Sequence, residues 1–305
     1  MKRELPDELK FLMNRKAPQH PFTASMAGKV CVITGATSGV GLEAVRSLAS
    51  HGAQLVLVAR NAEKAKKVIS EIETSWGLQA DMVIADFSDL GQVRQAATTL
   101  LQRCPRIDVL INCAGLHCTR RTQTEAGFET VFCVNHLASF LLTHLLLDRM
   151  KASAPSRIIQ VNSEGHRFNG LDPNDLDWKM RHYTGLRGYG ASKTAQLLTT
   201  WEFADRLRGS GVTINAMHPG DVKTNIGNNN GWLYRMFTRY VTGLLLKDPA
   251  ISGQAIGYLA SAPELDEISG RFFHLTIEEK PAAHALDRDM GRRIWASSLE
   301  MTGLS

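Results

Sequence analysis

Tyr189 and Lys193 stand four residues apart in Tyr189-Gly190-Ala191-Ser192-Lys193. On a helix that spacing puts both side chains on one face, so an ammonium can sit beside a phenol. A phenol with a pKa of about 10 is a poor base at neutral pH. A neighbouring cation lowers that value toward the range that general acid–base catalysis needs. Taken alone, the pair is also satisfied by a Lys stem lying along an exposed ring. Its company decides between the two.

A second chemistry is written after the first apolar run, in Thr34-Gly35-Ala36-Thr37-Ser38-Gly39-Val40-Gly41-Leu42. Its glycines let the chain turn sharply and approach a pyrophosphate. The helix that follows offers unpaired N–H groups and its positive end to the same charge. An ordinary tight turn also uses glycine, but the strand–loop–helix context favours a dinucleotide held by Gly35, Thr37, Ser38, Gly39, Val40 and Gly41. The next run ends Val58-Ala59-Arg60-Asn61 and lacks the carboxylate that would bind the free ribose hydroxyls of NAD. Arg60 can instead pair with a 2′-phosphate through its planar fork of donors, which points to NADP(H); an Arg that merely closes a strand looks the same. Asp86-Phe87 follows the third run. Its carboxylate either accepts from an adenine amino group or caps the helix that starts near Ser88.

These residues need strands to end where they stand. Short runs rich in Val, Ile and Leu recur at 30–34, 55–59, 82–85, 109–112, 157–161 and 212–217, with a last candidate at 270–275. Continuous apolar runs suit strands buried on both faces. Helical patterns lie between them, at 62–76, after Ser88, at 130–151 and at 188–208. The alternation predicts an α/β fold: a single Rossmann-type, doubly wound parallel sheet with helices on both faces. Residues 28–303 form one domain in this reading, preceded by an extension of residues 1–27.

Composition narrows the function classes. With 44% apolar and 21% charged residues, the chain has the balance of an ordinary globular protein. The formal charge of +5 is dispersed among acids, so no basic face for nucleic acid stands out. Cys31, Cys104, Cys113, Cys118 and Cys133 are odd in number and lack paired metal spacing, which predicts reduced thiols, no metal and a cytoplasm-like compartment. The extension carries no apolar run long enough for a signal peptide or a membrane span. Its Leu5, Leu9, Leu12 and Met13 could form one short stripe, packed on the domain or resting on a membrane surface. The apolar stretch 137–147 is interrupted by Ser139, Thr143 and His144 and reads as a buried helix, so no transmembrane span is expected.

The set Thr34–Gly41, Asn112-Cys113-Ala114-Gly115, Asn135, Ser163 and Tyr189–Lys193, in that order and each at a strand or helix end, resembles the short-chain dehydrogenase/reductase family over residues 28–303. The resemblance implies that Tyr189 is the proton donor or acceptor. It implies that Lys193 holds the nicotinamide ribose and lowers the Tyr189 pKa, and that Ser163 hydrogen-bonds the reacting oxygen. Asn135 would carry a water-linked proton relay. Cofactor contacts are implied for Asn112, Ala114, Gly115, Pro219, Gly220, Val222 and Thr224. A narrower likeness, to the retinol-dehydrogenase-like branch, rests on Val134–Thr143, His218–Asn225 and the 26 positions from Ser163 to Tyr189. That branch mostly prefers NADP(H), which suits Arg60. The chain departs from it in lacking the N-terminal membrane anchor of many members and in having Ala138 for the usual Gly. Light-dependent protochlorophyllide reductases share the architecture but carry a Cys shortly after the Lys, where Thr194-Ala195 stand here.

After Pro219-Gly220, the polar stretch 225–230 feeds an apolar helical pattern with Trp232, Met236 and Tyr240. Ligands in open α/β sheets lie beyond the carboxyl ends of the strands, where this segment projects. It is either a lid, with those three residues facing an apolar carbonyl or alcohol substrate, or a stripe packed on the core, a dimer contact or a membrane contact. Retinoid, steroid, fatty aldehyde and aromatic ketone all fit, as do a monomer and a homodimer. Two other function classes compete with the oxidoreductase: a regulatory cofactor binder of weak activity, and a membrane-peripheral interaction protein. Retention of Ser163, Tyr189 and Lys193 together weighs against the first.

Overall fold

The structure is a computed structural model and describes residues 17–220 and 248–304. Its strands and helices alternate as the apolar runs require: β1 (Val30–Thr34), α1 (Gly39–Ala49), β2 (Gln54–Ala59), α2 (Ala62–Trp76), β3 (Ala80–Ile84), α3 (Leu90–Arg103) and β4 (Val109–Asn112). The long helix α4 (Thr130–Ala152) contains a π-helical turn at Cys133–Leu137. Then follow β5 (Ser156–Val161), α5 (Gly185–Arg206), β6 (Val212–His218), α6 (Ala250–Ser261), β7 (Phe272–His274), β8 (Ile277–Glu278) and α7 (Arg288–Thr302).

The sheet order is β3-β2-β1-β4-β5-β6-β7-β8, parallel throughout except for β8, which runs antiparallel to β7. Alternate residues of each strand enter different cores, as the period of two demands. Cys31 and Ile33 of β1 pack with α1, α2 and α6, whereas Val32 packs with α3, α4, α5 and α7. Helix α4 has the length and apolarity of a membrane span, yet its most apolar stretch is 78% buried inside the fold. Its Phe140 meets Trp295 of α7 edge-on at 5.0 Å and Phe203 of α5 at 5.3 Å. It is a core helix.

Three local expectations are corrected. Ser88 does not cap α3. Asp89 does, accepting from Gly91 N and Gln92 N, while Ser88 donates to Asp86 Oδ1 at 2.8 Å. Asp86 therefore closes a turn before the helix and is no cap either. Helix α5 begins at Gly185, because Thr184 caps it through Arg187 N. The last apolar run splits at Leu275, whose φ of +56° ends β7 and starts the return into β8.

Candidate active site

The strand order turns back between β1 and β4, and a crevice opens there beyond their carboxyl ends. A cleft of 560 Å³ occupies it. From the β1–α1 turn it is lined by Gly35, Thr37, Ser38, Gly39, Val40 and Gly41; from β2 by Arg60; and from the β3 exit by Asp86 and Phe87. Ala114 and Gly115 line it after β4, Ser163 after β5, Tyr189 and Lys193 from α5, and Pro219 and Gly220 after β6. Asn112 and Asn135 stand behind this wall. Val222, Thr224, Trp232, Met236 and Tyr240, and with them the lid, lie outside the described residues.

The crevice fits a dinucleotide on two observations. Helices α2, α3, α5 and α7 each begin with a side-chain cap, but Ser38 makes no cap hydrogen bond to α1, so first-turn N–H groups of α1 remain for an anion. The turn before α1 also lies against the helix too closely for a side chain at Gly41, where a Cβ would lie 2.4 Å from the Gly35 carbonyl oxygen. At the β2 end, Arg60 is two-thirds exposed and only 3.8 Å from Asp86, a pairing that solvent leaves weak. Lys64, one turn into α2, lines the same corner. Sequence reading passed over Lys64, although its i, i+4 spacing from Arg60 was visible.

Tyr189 and Ser163 are brought together by a missing side chain. A Cβ on Gly165 would sit 2.5 Å from Tyr189 Cε1 and 3.3 Å from Ser163 Oγ, so only glycine lets the ring lie against the β5 exit. Ser163 starts the 3₁₀ turn Glu164–Phe168 and accepts from Gly165 N at 3.0 Å. His166, three residues on, accepts from Ala282 N through Nε2, so its Nδ1 donates to the Ser163 carbonyl at 2.8 Å. Burial holds this imidazole far below its ordinary pKa, at about 3, and hence neutral.

Burial also sets the charge of the reactive pair. It pushes the Tyr189 phenol up to about 12, against the pull of the Ser163 hydrogen bond, with Cys113 pushing upward as well. It draws Lys193 down to about 8. The spacing is realised as proximity, with Nζ 5.9 Å from the ring centroid. In the pair, burial dominates the phenol, while the ammonium donates to Val161 O at 2.9 Å and to Gln196 Oε1 at 3.2 Å. At neutral pH the phenol is a proton donor in waiting.

Asn135 sits in the π-helical turn with its side chain fully committed. Its Oδ1 accepts from Leu116 N at 2.8 Å, and its Nδ2 donates to Leu116 O and Ser192 Oγ, both at 3.0 Å. It ties the β4 exit loop to α5. On the same exit, Thr34 Oγ1 accepts from Cys113 N and Ala114 N, and Asn112 Nδ2 donates to Thr143 Oγ1. His117 meets the Tyr189 ring edge-on at 5.7 Å, a neighbour that no sequence signal announced. A larger groove of 1060 Å³ at the β7–β8 side contains none of these residues.

Known proteins resemble the chain in sequence and in shape. A family model described as "short chain dehydrogenase" matches residues 29–231. "Retinol dehydrogenase 13" of Homo sapiens is 39% identical over 289 residues, which cover 93% of this chain and 87% of that protein. Among solved structures, an uncharacterized protein from Mycobacterium Paratuberculosis superposes with a TM-score of 0.75 at 29% identity, covering 94% of this chain and 98% of its own. An "NAD(P) dependent gluconate 5-dehydrogenase" from Beutenbergia cavernae, solved with bound NADP, gives 0.68 at 26% identity, covering 84% and 97%.

Proposed function

We propose a specific activity for this chain, which belongs to the short-chain dehydrogenase family and is an oxidoreductase acting on CH–OH donors: NADP(H)-dependent interconversion of an apolar carbonyl compound and its alcohol. The observation that carries the reading is the meeting of Tyr189, Ser163 and Lys193 in one cleft with the uncapped start of α1.

When bound, the nicotinamide supplies or accepts the hydride. The protein's residues handle the proton and the geometry. In reduction, Ser163 hydrogen-bonds the substrate oxygen, and the protonated Tyr189 phenol delivers a proton to it as negative charge develops. In oxidation the same phenol, deprotonated, takes the alcohol proton. Lys193 places a positive charge beside the phenol and a donor toward the cofactor ribose. Ser38, Gly39 and the first-turn amides of α1 would hold the pyrophosphate.

Arg60 and Lys64 at the β2 end, with Ala59 where an acid would bind free ribose hydroxyls, support NADP(H) over NAD(H). The bound NADP of the Beutenbergia cavernae neighbour agrees. The name of the human relative supports an apolar alcohol such as a retinoid. The test is turnover of a panel of retinoid, steroid and aliphatic aldehydes and ketones, each with NADPH and with NADH. NADPH consumption with apolar carbonyls is expected; consumption of NADH alone, or of neither, defeats the reading.

A further inference from the structure

We propose that Gln196 is a positioning residue that aims the Lys193 ammonium through a buried carboxamide network. The inference rests on the roles assigned to Lys193 above and adds the group that acts on it.

Lys193 is only 3% exposed. An ammonium so deep has lost its water and must find acceptors within the protein. Among the described residues its three N–H donors meet two: the Val161 carbonyl and Gln196 Oε1. That leaves one donor for the cleft, which Lys193 lines. The direction of the third donor follows from where the first two are held, so the rigidity of Gln196 matters.

Gln196 is 2% exposed, and every hydrogen-bonding capacity of its carboxamide is used. Oε1 accepts from Lys193 Nζ and from Asn162 Nδ2 at 2.8 Å. Nε2 donates to the Asn135 carbonyl at 3.2 Å and to Gln160 Oε1 at 3.3 Å. A flipped amide would set NH₂ against an ammonium and another NH₂, and oxygen against two oxygens, so one orientation survives. Asn162 is locked in turn, because its Oδ1 accepts from Ser163 N at 2.8 Å while its Nδ2 also donates to Lys193 O. One side chain thus joins the Ser163 strand end, the Asn135 turn and Lys193.

The neutrality of Gln196 is as informative as its place. A carboxylate there would bind the ammonium as a salt bridge and keep its charge for itself. A carboxamide holds the ammonium in position and leaves its charge for the phenol and cofactor across the cleft. Cys113 and Tyr189 are the titratable groups facing Lys193, and neither brings a competing negative charge at neutral pH, since burial pushes both up to about 12.

The test begins without cofactor. In protein carrying ¹³C at lysine Cε, the Lys193 resonance, assigned by its loss in Lys193→Arg, gives the ammonium's titration midpoint. Gln196→Met, matched in length but unable to accept, should lower that midpoint and weaken NADPH binding about tenfold at pH 8. It should also lower kcat about tenfold with little change in substrate KM, and move the alkaline limb of the pH profile to lower pH. Gln196→Glu should raise the midpoint and move the limb upward. A Gln196→Met protein that melts earlier but keeps the wild-type midpoint, NADPH affinity and pH profile would make Gln196 plain packing and overturn the proposal. So would a folded Gln196→Glu whose midpoint stays put. If neither variant folds, the wild-type Gln196 side-chain amide resonances must still shift with the Lys193 titration, and flat resonances refute it. A wild-type protein that turns over no carbonyl while the Gln196 variants still move the midpoint defeats the proposed activity alone.

Discussion

Gly165 and Tyr189 are in such close contact that a single methyl group cannot stand between them, a Cβ on residue 165 falling 2.5 Å from Tyr189 Cε1. The phenol's place is therefore set by the β5 exit as much as by its own helix. Gly165→Ala should push the ring from Ser163 and lower kcat at least about tenfold, about 1.4 kcal/mol of transition-state stabilisation. NADPH affinity, read by fluorescence titration, should stay within about twofold. Full activity in Gly165→Ala would mean that the ring has room the geometry denies.

Tyr189→Phe keeps the ring and removes only the hydroxyl that carries the transferable proton. Turnover should disappear while NADPH binding survives, because the loss falls on the transition state alone. Substantial residual turnover in a stopped-flow measurement would reassign the proton donor.

The pH dependence follows from Lys193, whose folded value of about 8 lies below that of an exposed lysine. The ammonium is present at lower pH and is lost as pH rises through that value. Carbonyl reduction and NADPH affinity should both hold steady below about pH 7 and fall above about pH 8. Lys193→Arg, which keeps its charge at all accessible pH, should lose this limb whatever its absolute rate. A limb that persists unchanged in Lys193→Arg would belong to another group.

Arg60→Ala should weaken NADPH by about 1.5–3 kcal/mol, the range for a hydrogen bond to a charged group, and leave NADH nearly unaffected. Lys64→Ala should act in the same direction with a smaller effect, as a single flexible ammonium does. Equal weakening of both cofactors by either change would show a structural role and remove the basis for NADP(H).

Phe140→Ala serves as the contrasting case. Phe140 is fully buried against Trp295 and Phe203, and its truncation should cost about 3–5 kcal/mol of stability. Below the lowered melting temperature, the ratio of NADPH to NADH affinity should match wild type. A changed ratio would mean that the core behind α4 helps to shape the cofactor corner.

Legibility in the sequence tracked the range of the interactions involved. Strands β1, β2 and β4 are nearly continuous apolar runs, and β5 and β6 are apolar runs interrupted by buried polar residues such as Gln160 and Asn215. Strand β8, two residues long, has no pattern to read, and helices α6 and α7 were not among the expected elements. At the site, the glycine turn, Ser163, Tyr189 and Lys193 were recognisable because their order along the chain is itself informative. Gln196 was not, though it lies one turn beyond Lys193, since its meaning comes from Asn135, Gln160 and Asn162, up to 61 positions away. The Lys193–Tyr189 pairing was read correctly as proximity. The burial that raises the phenol was not legible, because helical spacing carries no information about desolvation.

The return of β8 along β7 also bears on how copies of this protein meet. An open sheet ends in a row of unpaired backbone groups that can recruit a strand from a second molecule. On this flank the row ends in Ile277–Glu278, and Glu278 is tethered across the hairpin to Arg271 at 3.4 Å. Two residues give an incoming strand too little template, and the paired charges reward no apolar stacking. Continuation of the sheet from molecule to molecule through this flank is thereby discouraged, a safeguard against fibrous aggregation built from one short turn of chain.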